Sequence, residues 1–492
     1  MLAASHPILS CDEARNLEGK LFGGDEAREW PAMQHAGRAI AAAVQCDFAE
    51  IGGFPAGGRV LVLAGKGHNG GDALIAAQAI LERHLAAHAD VIFVFGERAL
   101  RPLAQRAWRD LTQAAGARVL ATEEMGGAYD LCLDGVFGFQ FRPPAEPRIA
   151  QLLACVNALP IRLRAAVDLP SAGLFRADFT YATGSVKTPV LGDANAGRVR
   201  YLDLGFFRGD EPGTERVLMP TVLAPLAALR AAQSDKRTYG HVFILAGSRN
   251  FPGAALMTVR AALRSGAGLV TAFVPETVAA AFAARAPEAM WVSWPETPDG
   301  GLALEGQHLL RERLERASAL VIGSGLGSEK ETLALVADLV KSATVPLVLD
   351  ADALQPDIVR AGKAPRILTP HAGEFARIAK SAELRAFAKK SGATVVLKGS
   401  PTRIAGGDGV VYHSFFGGPV LARGGSGDLL AGLIGGLLAQ TPGDPLLAAA
   451  RGAAWHGLAA DALARAHGQV AVHTTQLLDF LAVALRESAH EQ

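Results

Sequence analysis

Charge is scarce in this chain, and what there is cancels. Only 20% of the 492 residues are charged, with 48 Lys+Arg against 48 Asp+Glu. That leaves no global basic field to draw in nucleic acid or an anionic membrane, so neither is expected as a partner. No run of about 18 uninterrupted apolar residues occurs, which argues against a membrane span. Met1-Leu2-Ala3-Ala4-Ser5-His6-Pro7 lacks the basic segment and long apolar core of a signal peptide. Cysteine is rare as well. Cys11, Cys46, Cys132 and Cys155 all lie in the first third without metal-like spacing, and free buried thiols in a reducing cytoplasm are the simplest account. Gly-x-x-x-x-Gly-Lys-[Ser/Thr] is missing too, which excludes a P-loop enzyme.

Glycine, at 55 residues, and apolar residues, at 50%, are plentiful. This is a folded composition with ample core, too long for one ordinary domain. Two α/β blocks are legible. In the first, strands are expected at Arg59–Ala64, Asp90–Phe95, Tyr129–Asp134 and Ala165–Asp168, with helices near 72–85 and 101–115. Val217 to Gln233 reads as a connection between domains. In the second, strands are expected at His241–Ala246, Gly268–Val274, Leu320–Ile322, Pro346–Asp350 and Thr394–Lys398, with a helix over Ala255–Ser265 and long helices after Asp428. Apolar runs alternating with helices favour parallel sheets covered on both faces.

The most informative stretch is Gly424-Gly425-Ser426-Gly427-Asp428, running directly into a helical pattern. Glycines let backbone approach a phosphate, a helix N-terminus attracts anions, and an Asp there can act as a base towards a hydroxyl. A plain glycine turn with a helix-stabilising Asp fits the pentapeptide equally well. Gly323-Ser324-Gly325-Leu326-Gly327, Asp350-Ala351-Asp352, Thr369-Pro370-His371-Ala372-Gly373-Glu374 and Lys398-Gly399-Ser400-Pro401-Thr402 each follow a strand. Strand ends are where open α/β sheets bind ligands. Each also has a structural alternative: a turn for the glycines, a helix cap for Asp352, a structural imidazole for His371, a solvated ammonium for Lys398.

In this order, together with Lys236–Gly240 and Gly247-Ser248…Pro252-Gly253-Ala254-Ala255, these motifs resemble the ribokinase-like NAD(P)H-hydrate dehydratases over most of 232–492. The resemblance implies a C-terminal ribokinase-like α/β domain acting on NADH or NADPH damaged by addition of water (NADHX, NADPHX). ADP, as co-substrate with Mg²⁺, would phosphorylate the hydroxyl, and phosphate would leave with help from the ring nitrogen. By resemblance Asp428 takes the hydroxyl proton. Ala255, Gly325 and His371 line the hydrate pocket beside Asp428, and Lys398, Gly399, Ser400, Pro401, Thr402 and Gly427 hold the nucleotide. Arg423 departs from the small hydroxyl residue usual in the family.

In the first block, Gly65-Lys66-Gly67-His68-Asn69-Gly70-Gly71-Asp72 joins a strand to a helix, a shape suited to a phosphate or an ion. No acid ends the following strand, so the dinucleotide fingerprint is not satisfied. Asp134 and Asp168 end two strands. With Met33-Gln34-His35-Ala36-Gly37, Asn69–Asp72, Leu133–Gly138 and Val167-Asp168-Leu169-Pro170-Ser171, the block resembles the NAD(P)H-hydrate epimerases, or YjeF N-terminal domains. That implies a Rossmann-like three-layer α/β/α domain over 1–225. It also implies K⁺ held by Asn69, Asp134 and Ser171, and a hydrate held by Asn69, Gly70, Gly71, Asp72, Gly138 and Asp168. Asp168 would be the acid/base interconverting the R and S hydrates, with Lys187 as a helper. The loop after Ser171 is shorter than in the family, and His68 replaces a common Asn. Related proteins imply a homo-oligomer. The expectation is a two-domain cytoplasmic repair enzyme. Its rival is a ribokinase-like kinase for a small alcohol with a degenerate, binding-only first domain.

Overall fold

The computed structural model describes residues 2–113, 116–120 and 122–490. The chain forms two compact units. The first holds His6–Pro212 and Ala464–Gln469; the second holds Gly213–Leu463, the chain from Val470 onward and the first few residues.

The first unit carries β1 (Ser5–Leu9), β2 (Arg59–Ala64), β3 (His88–Phe93), β4 (Ala117–Val119) and β5 (Tyr129–Gly135). They are followed by β6 (Ile161–Val167), β7 (Phe179–Thr183), β8 (Val186–Lys187) and β9 (Arg198–Leu202). Its helices are α1 (Cys11–Phe22), α2 (Glu26–Phe48), α3 (His68–Arg83), α4 (Pro102–Gln113) and α5 (Pro147–Ala158). Seven strands run in the order β4-β3-β2-β5-β6-β7-β9, all parallel, while β1 pairs with β8. One face of the sheet is packed by Ile40, Val44, Leu74, Ile80 and Leu111 from α2, α3 and α4, the other by Ile149, Leu153 and Val156 from α5. This is the three-layer arrangement that near-continuous apolar strands require. Helix α3 starts at His68, four residues before the expected position, because Gly67 in extended conformation serves as its N-cap. Arg465 and Gln469 belong to this unit through buried acids of α2 and its end. Arg465 lies 3.9 Å from Asp47, and Gln469 donates to Glu50 at 2.5 Å. Of the four cysteines, only Cys132 is buried; Cys46 and Cys155 are exposed, so the expectation of buried thiols holds for one residue.

The second unit carries β10 (Glu215–Leu218), β11 (His241–Leu245), β12 (Leu269–Pro275), β13 (Met290–Trp294) and β14 (Ala319–Ile322). Then come β15 (Leu347–Leu349), β16 (Arg366–Leu368), β17 (Thr394–Leu397), β18 (Thr402–Ala405) and β19 (Val411–Ser414). Its helices are α6 (Pro252–Arg264), α7 (Glu276–Arg285), α8 (Gln307–Arg311), α9 (Lys330–Ser342) and α10 (Ala372–Ala379). The remainder are α11 (Leu384–Ser391), α12 (Ser426–Gln440), α13 (Pro445–His467) and α14 (Leu477–His490). The strand order is β13-β12-β11-β14-β15-β16-β17-β18-β19-β10. Pairing is parallel through β17, then antiparallel across β18 and β19. β10 pairs parallel with β19 and buries Val217 and Leu218, so the start of the supposed connection is a strand of this unit.

Helix α12 lies on the sheet and against α6 by a face without side chains. A Cβ on Gly432 would sit 2.1 Å from the Thr258 carbonyl oxygen, one on Gly435 2.2 Å from Val321, and one on Gly436 1.9 Å from Ser265. Gly432→Ala should therefore overpack this contact and cost roughly 1–3 kcal/mol, lowering the melting transition of this unit by several degrees. Gly253→Ala, where nothing lies within 4 Å, should hold or raise it. Calorimetry showing equal shifts for both would refute the close-approach account.

Candidate functional site

From β2 in the first unit and β11 in the second, each sheet runs to one edge and then returns to the other side. The point of reversal lies between β2 and β5 in the first unit and between β11 and β14 in the second. Such reversals leave a crevice beyond the strand ends where ligands bind.

In the second unit the two turns at the reversal are laced together. The Gly247 N–H donates to the Ser324 carbonyl at 2.8 Å, and Ser248 Oγ donates to the Gly325 carbonyl at 2.9 Å. Gly325 has φ +66°, and a Cβ there would meet the Phe251 carbonyl at 2.6 Å. Beyond β15, Asp350 is buried and accepts from Thr369 Oγ1 at 2.7 Å and from Lys398 Nζ at 3.0 Å. Lys398 also lies 3.9 Å from Glu374. Burial pulls the ammonium down, but Asp350 and Glu374 outweigh it and raise its pKa, so Lys398 stays charged. The first turn of α12 comes to this pair: the Cβ position of Gly427 is 3.3 Å from Lys398 Nζ and 4.0 Å from Asp350 Oδ2. Asp428 follows. Burial raises its carboxyl to about 6, with Asp350 adding and Ser324 and Lys398 opposing. The Ser324 hydroxyl is buried within electrostatic reach but makes no well-formed hydrogen bond.

The structure places the other candidates of this unit as follows. Ala255 is fully buried in α6, and the Cβ position of Gly247 is 3.0 Å from its methyl. His371 caps α10: its Nδ1 accepts from the Gly373 and Glu374 amides, and its own N–H donates to Glu374. Asp352 caps no helix; its carboxylate accepts from the Gly327 N–H at 2.8 Å and so ties down the Gly323–Gly327 turn. Gly399 and Ser400 are exposed in the turn after β17, Pro401 is half-buried, and Thr402, which opens β18, donates to the Gly399 carbonyl. Arg423 Nη2 donates to the Val470 carbonyl at 2.7 Å.

In the first unit the reversal is tighter still. The Gly65 N–H donates to the Gly135 carbonyl at 3.1 Å, and a Cβ on Gly65 would sit 2.1 Å from the Val136 carbonyl. Gly70 has no room for a Cβ against the Gly65 carbonyl at 2.1 Å, nor Gly71 against Met33 at 2.8 Å, so both are packing positions of α3. Asp134 is wholly buried and accepts from Ser171 Oγ at 2.6 Å and the Ser171 N–H at 2.8 Å. Burial lifts its carboxyl to about 6 against those hydrogen bonds, and it forms no ion pair among the described residues. Asn69 Nδ2 donates to the Val167 carbonyl at 2.8 Å, and its Oδ1 lies 2.5 Å from where a Gly138 Cβ would be. Asn69, Asp134, Gly138 and Ser171 are thus brought together. Asp168, at φ +69°, pairs with Lys187 Nζ at 2.5 Å. Burial raises the Asp168 carboxyl, with Lys187 opposing, and its Oδ2 has no hydrogen-bond partner.

Beside this group is a cavity of about 240 Å³ lined by Glu18, Glu29, Met33, His68, Asp72, Thr183 and Phe206, among others. Glu18 carried no signal in the sequence, being one acid on a charged helix. Lys187, named as a helper by resemblance although it stands in no motif, is placed against Asp168 by the fold.

Two largely parallel sheets with glycine turns at their reversals and buried carboxylates behind them define a two-site α/β enzyme. Residues 242–482 match the family described as NAD(P)H-hydrate dehydratase, and 31–188 the YjeF-related protein N-terminus. A bifunctional NAD(P)H-hydrate repair enzyme Nnr of Gloeobacter violaceus is 38% identical, over 96% of this chain and 98% of that protein. One from Moorella thermoacetica is 34% identical over 93% of each. Among solved structures, an ADP/ATP-dependent NAD(P)H-hydrate dehydratase from Bacillus subtilis is 32% identical, covering 53% of this chain and 94% of that one, with a TM-score of 0.47. The chain belongs to the family of bifunctional NAD(P)H-hydrate repair enzymes.

Removing the negative charge of Asp350 should relieve Asp428. Asp350→Asn is expected to lower the Asp428 pKa from about 6, since the ammonium of Lys398 then acts unopposed. Carbon-13 NMR of labelled aspartate checks this, and an unchanged or raised Asp428 titration would contradict it.

Proposed function

We propose that the chain repairs hydrated NADH and NADPH at two sites, the first unit equilibrating the R and S hydrates and the second dehydrating the S form with ADP. The observation that carries this is Asp428, a carboxyl with a raised pKa in the first turn of α12, beside the Lys398–Asp350 pair. Proton abstraction at neutral pH asks for such a group, ionised above about pH 6 yet more basic than an ordinary carboxylate.

In the second unit, Asp428 takes the proton of the hydrate's hydroxyl as that oxygen attacks the terminal phosphorus of ADP, and AMP leaves. Lys398 and the amides around Gly427 offset charge on the transferring phosphoryl group. The ring nitrogen's lone pair then expels phosphate, and loss of a ring proton restores the reduced nicotinamide. Lys398, Gly399, Ser400, Pro401, Thr402 and Gly427 hold the nucleotide; Ala255, Gly325, His371 and Asp428 surround the hydrate. Mg²⁺ would offset charge on the nucleotide's phosphates, and Asp350 is the carboxylate beside them that would help hold it while Asp428 stays free as the base.

In the first unit Asn69, Gly70, Gly71, Asp72, Gly138 and Asp168 hold the hydrate, and Asp168 moves the proton. The buried charge of Asp134, with no cationic partner, and the Ser171 and Asn69 oxygens suit a K⁺ ion, a hard cation that would supply a fixed positive charge there. No described helix is long and apolar enough to cross a membrane. A cytoplasmic homo-oligomer remains part of the reading.

Hydrated NADH incubated with the chain, ADP and Mg²⁺ should recover its near-ultraviolet band and release AMP and phosphate. The kcat/KM should rise as pH climbs through about 6, because Asp428 must lose its proton to act. Asp428→Asn should lose about 10²–10⁴-fold in kcat and keep nucleotide affinity. A stable phosphorylated alcohol without recovery of the band would instead favour a kinase.

Potassium binding has its own readout. The first unit should melt at a higher temperature in KCl than in choline chloride of equal ionic strength, as a ligand bound only to the folded state requires. Asp134→Asn should abolish the difference. A difference that survives that substitution would move the cation elsewhere.

A further inference from the structure

The cavity of the first unit is walled by more acid than its bases can neutralise. Facing it or lying just behind it are Arg15 and Glu18 from α1, Glu29 from α2, His68 and Asp72 from α3, and the Asp168–Lys187 pair from the ends of β6 and β8. The cations are spoken for. His68 Nε2 lies 3.3 Å from Glu29, Arg15 donates to Asp12 at 3.0 Å, and Lys187 serves Asp168 and also donates to the Thr183 carbonyl at 3.1 Å. Asp72 is 7% exposed, lines the cavity, and its Oδ1 has no partner. Glu18 lines the same cavity, is half-buried, and makes no ion pair or hydrogen bond among the described residues. Asp168 itself is 3% exposed and within electrostatic reach of Glu18. No three of these acids are close enough together to hold a metal ion, which removes the usual alternative for an acidic pocket among the described residues.

We propose that Glu18 is a second catalytic carboxyl of the first site, donating a proton to the substrate's hydroxyl while Asp168 serves the opposite face of the ring. This rests on the epimerase reading above. The hydroxyl-bearing carbon adjoins the ring nitrogen, so its configuration inverts by loss and return of water. The Glu18 proton passes to the hydroxyl, the carbon–oxygen bond breaks with its electron pair on oxygen, and water departs as the nitrogen lone pair closes a C=N⁺ bond. A water molecule adds from the other face, its oxygen forming the new carbon–oxygen bond while electrons return to nitrogen, and its proton goes to Asp168. Exchange with solvent restores both carboxyls, and the opposite epimer uses them in reverse. Burial raises the Glu18 carboxyl to about 7, with Asp168 and Glu29 adding and Lys187 opposing, so it still carries a proton to give near neutrality.

The test uses the full chain and R-hydrate in ¹⁸O-labelled water, following both the S epimer and label in recovered hydrate. Wild type should epimerise and take up label. Glu18→Gln should lose at least about 100-fold in kcat for both, with KM little changed and the fall in rate above about pH 7 gone. Glu18→Asp should retain part of the rate, and calorimetry should show the first unit of each variant folded. Dehydration of S-hydrate with ADP should be unaffected. A wild type that fails to epimerise overturns the epimerase reading itself. A wild type that epimerises while folded Glu18→Gln matches it overturns the role of Glu18 alone, as does epimerisation without uptake of label.

Discussion

The chemistry of the second unit depends on how closely one helix can approach its neighbours. An ordinary helix keeps its partners about 8–10 Å away through its side chains. Helix α12 has none on the face formed by Gly432, Gly435 and Gly436, so its backbone presses against Thr258, Val321 and Ser265. That contact fixes where the helix begins, and with it the position of Gly427 over Lys398 and of Asp428 beside Asp350. Glycine costs helix stability at each of these positions. Burial of the apolar remainder of α12, including Leu429, Leu430, Leu433, Ile434 and Leu437, offsets the loss.

The first unit uses the same constraint in its turns instead of a helix face. Gly65, Gly70 and Gly135 have their missing side chains replaced by carbonyls of one another's turns. The two central strands can then end side by side, which gathers Asn69, Asp134 and Ser171 behind them. The geometry leaves Asp134 and Asp168 almost wholly shut off from water and Asp428 partly so, and their raised pKa values follow from burial more than from any neighbour. In both units glycine is needed for close approach, and the reactive acid is a consequence of the space so closed.

Much of this was legible in the residues. Strands of the first block were found within a few residues because parallel strands buried on both faces are short apolar runs. The convergence of the motifs bearing Asp350, Lys398 and Gly427 was implied by strand ends facing one crevice, and that of Asp134 with Ser171 by the family resemblance. What remained hidden depends on contacts far apart in sequence. β10 is only four residues long, and its pairing with β19, far away in sequence, is what makes it a strand. Asp352 reads as a cap, yet the amide that claims it is Gly327, 25 residues earlier. Glu18 sits in no motif, and its chemistry arises because α1 folds over a cavity whose cations are already engaged.

The two sites solve the problem of buried acid in different ways, and the difference follows from what each must bind. A nucleotide brings several negative charges, so the second site needs a cation that stays charged when half-desolvated. Lys398 meets this because Asp350 and Glu374 hold its proton more strongly than burial removes it. Asp350 in turn is anchored by Thr369, so the pair is preorganised before any phosphate arrives. An approaching phosphate then competes with Asp350 for Lys398, and the more it succeeds, the less that ammonium restrains the proton affinity of Asp428. On the proposed reading, binding of the phosphoryl donor would thereby strengthen the base that serves it. On the proposed reading, the group handled at the first site is a neutral hydroxyl next to a ring nitrogen, where a proton is needed on one side while another is accepted on the other. Lys187 is committed to Asp168, and the carboxyl at the cavity wall keeps its proton for want of a cation.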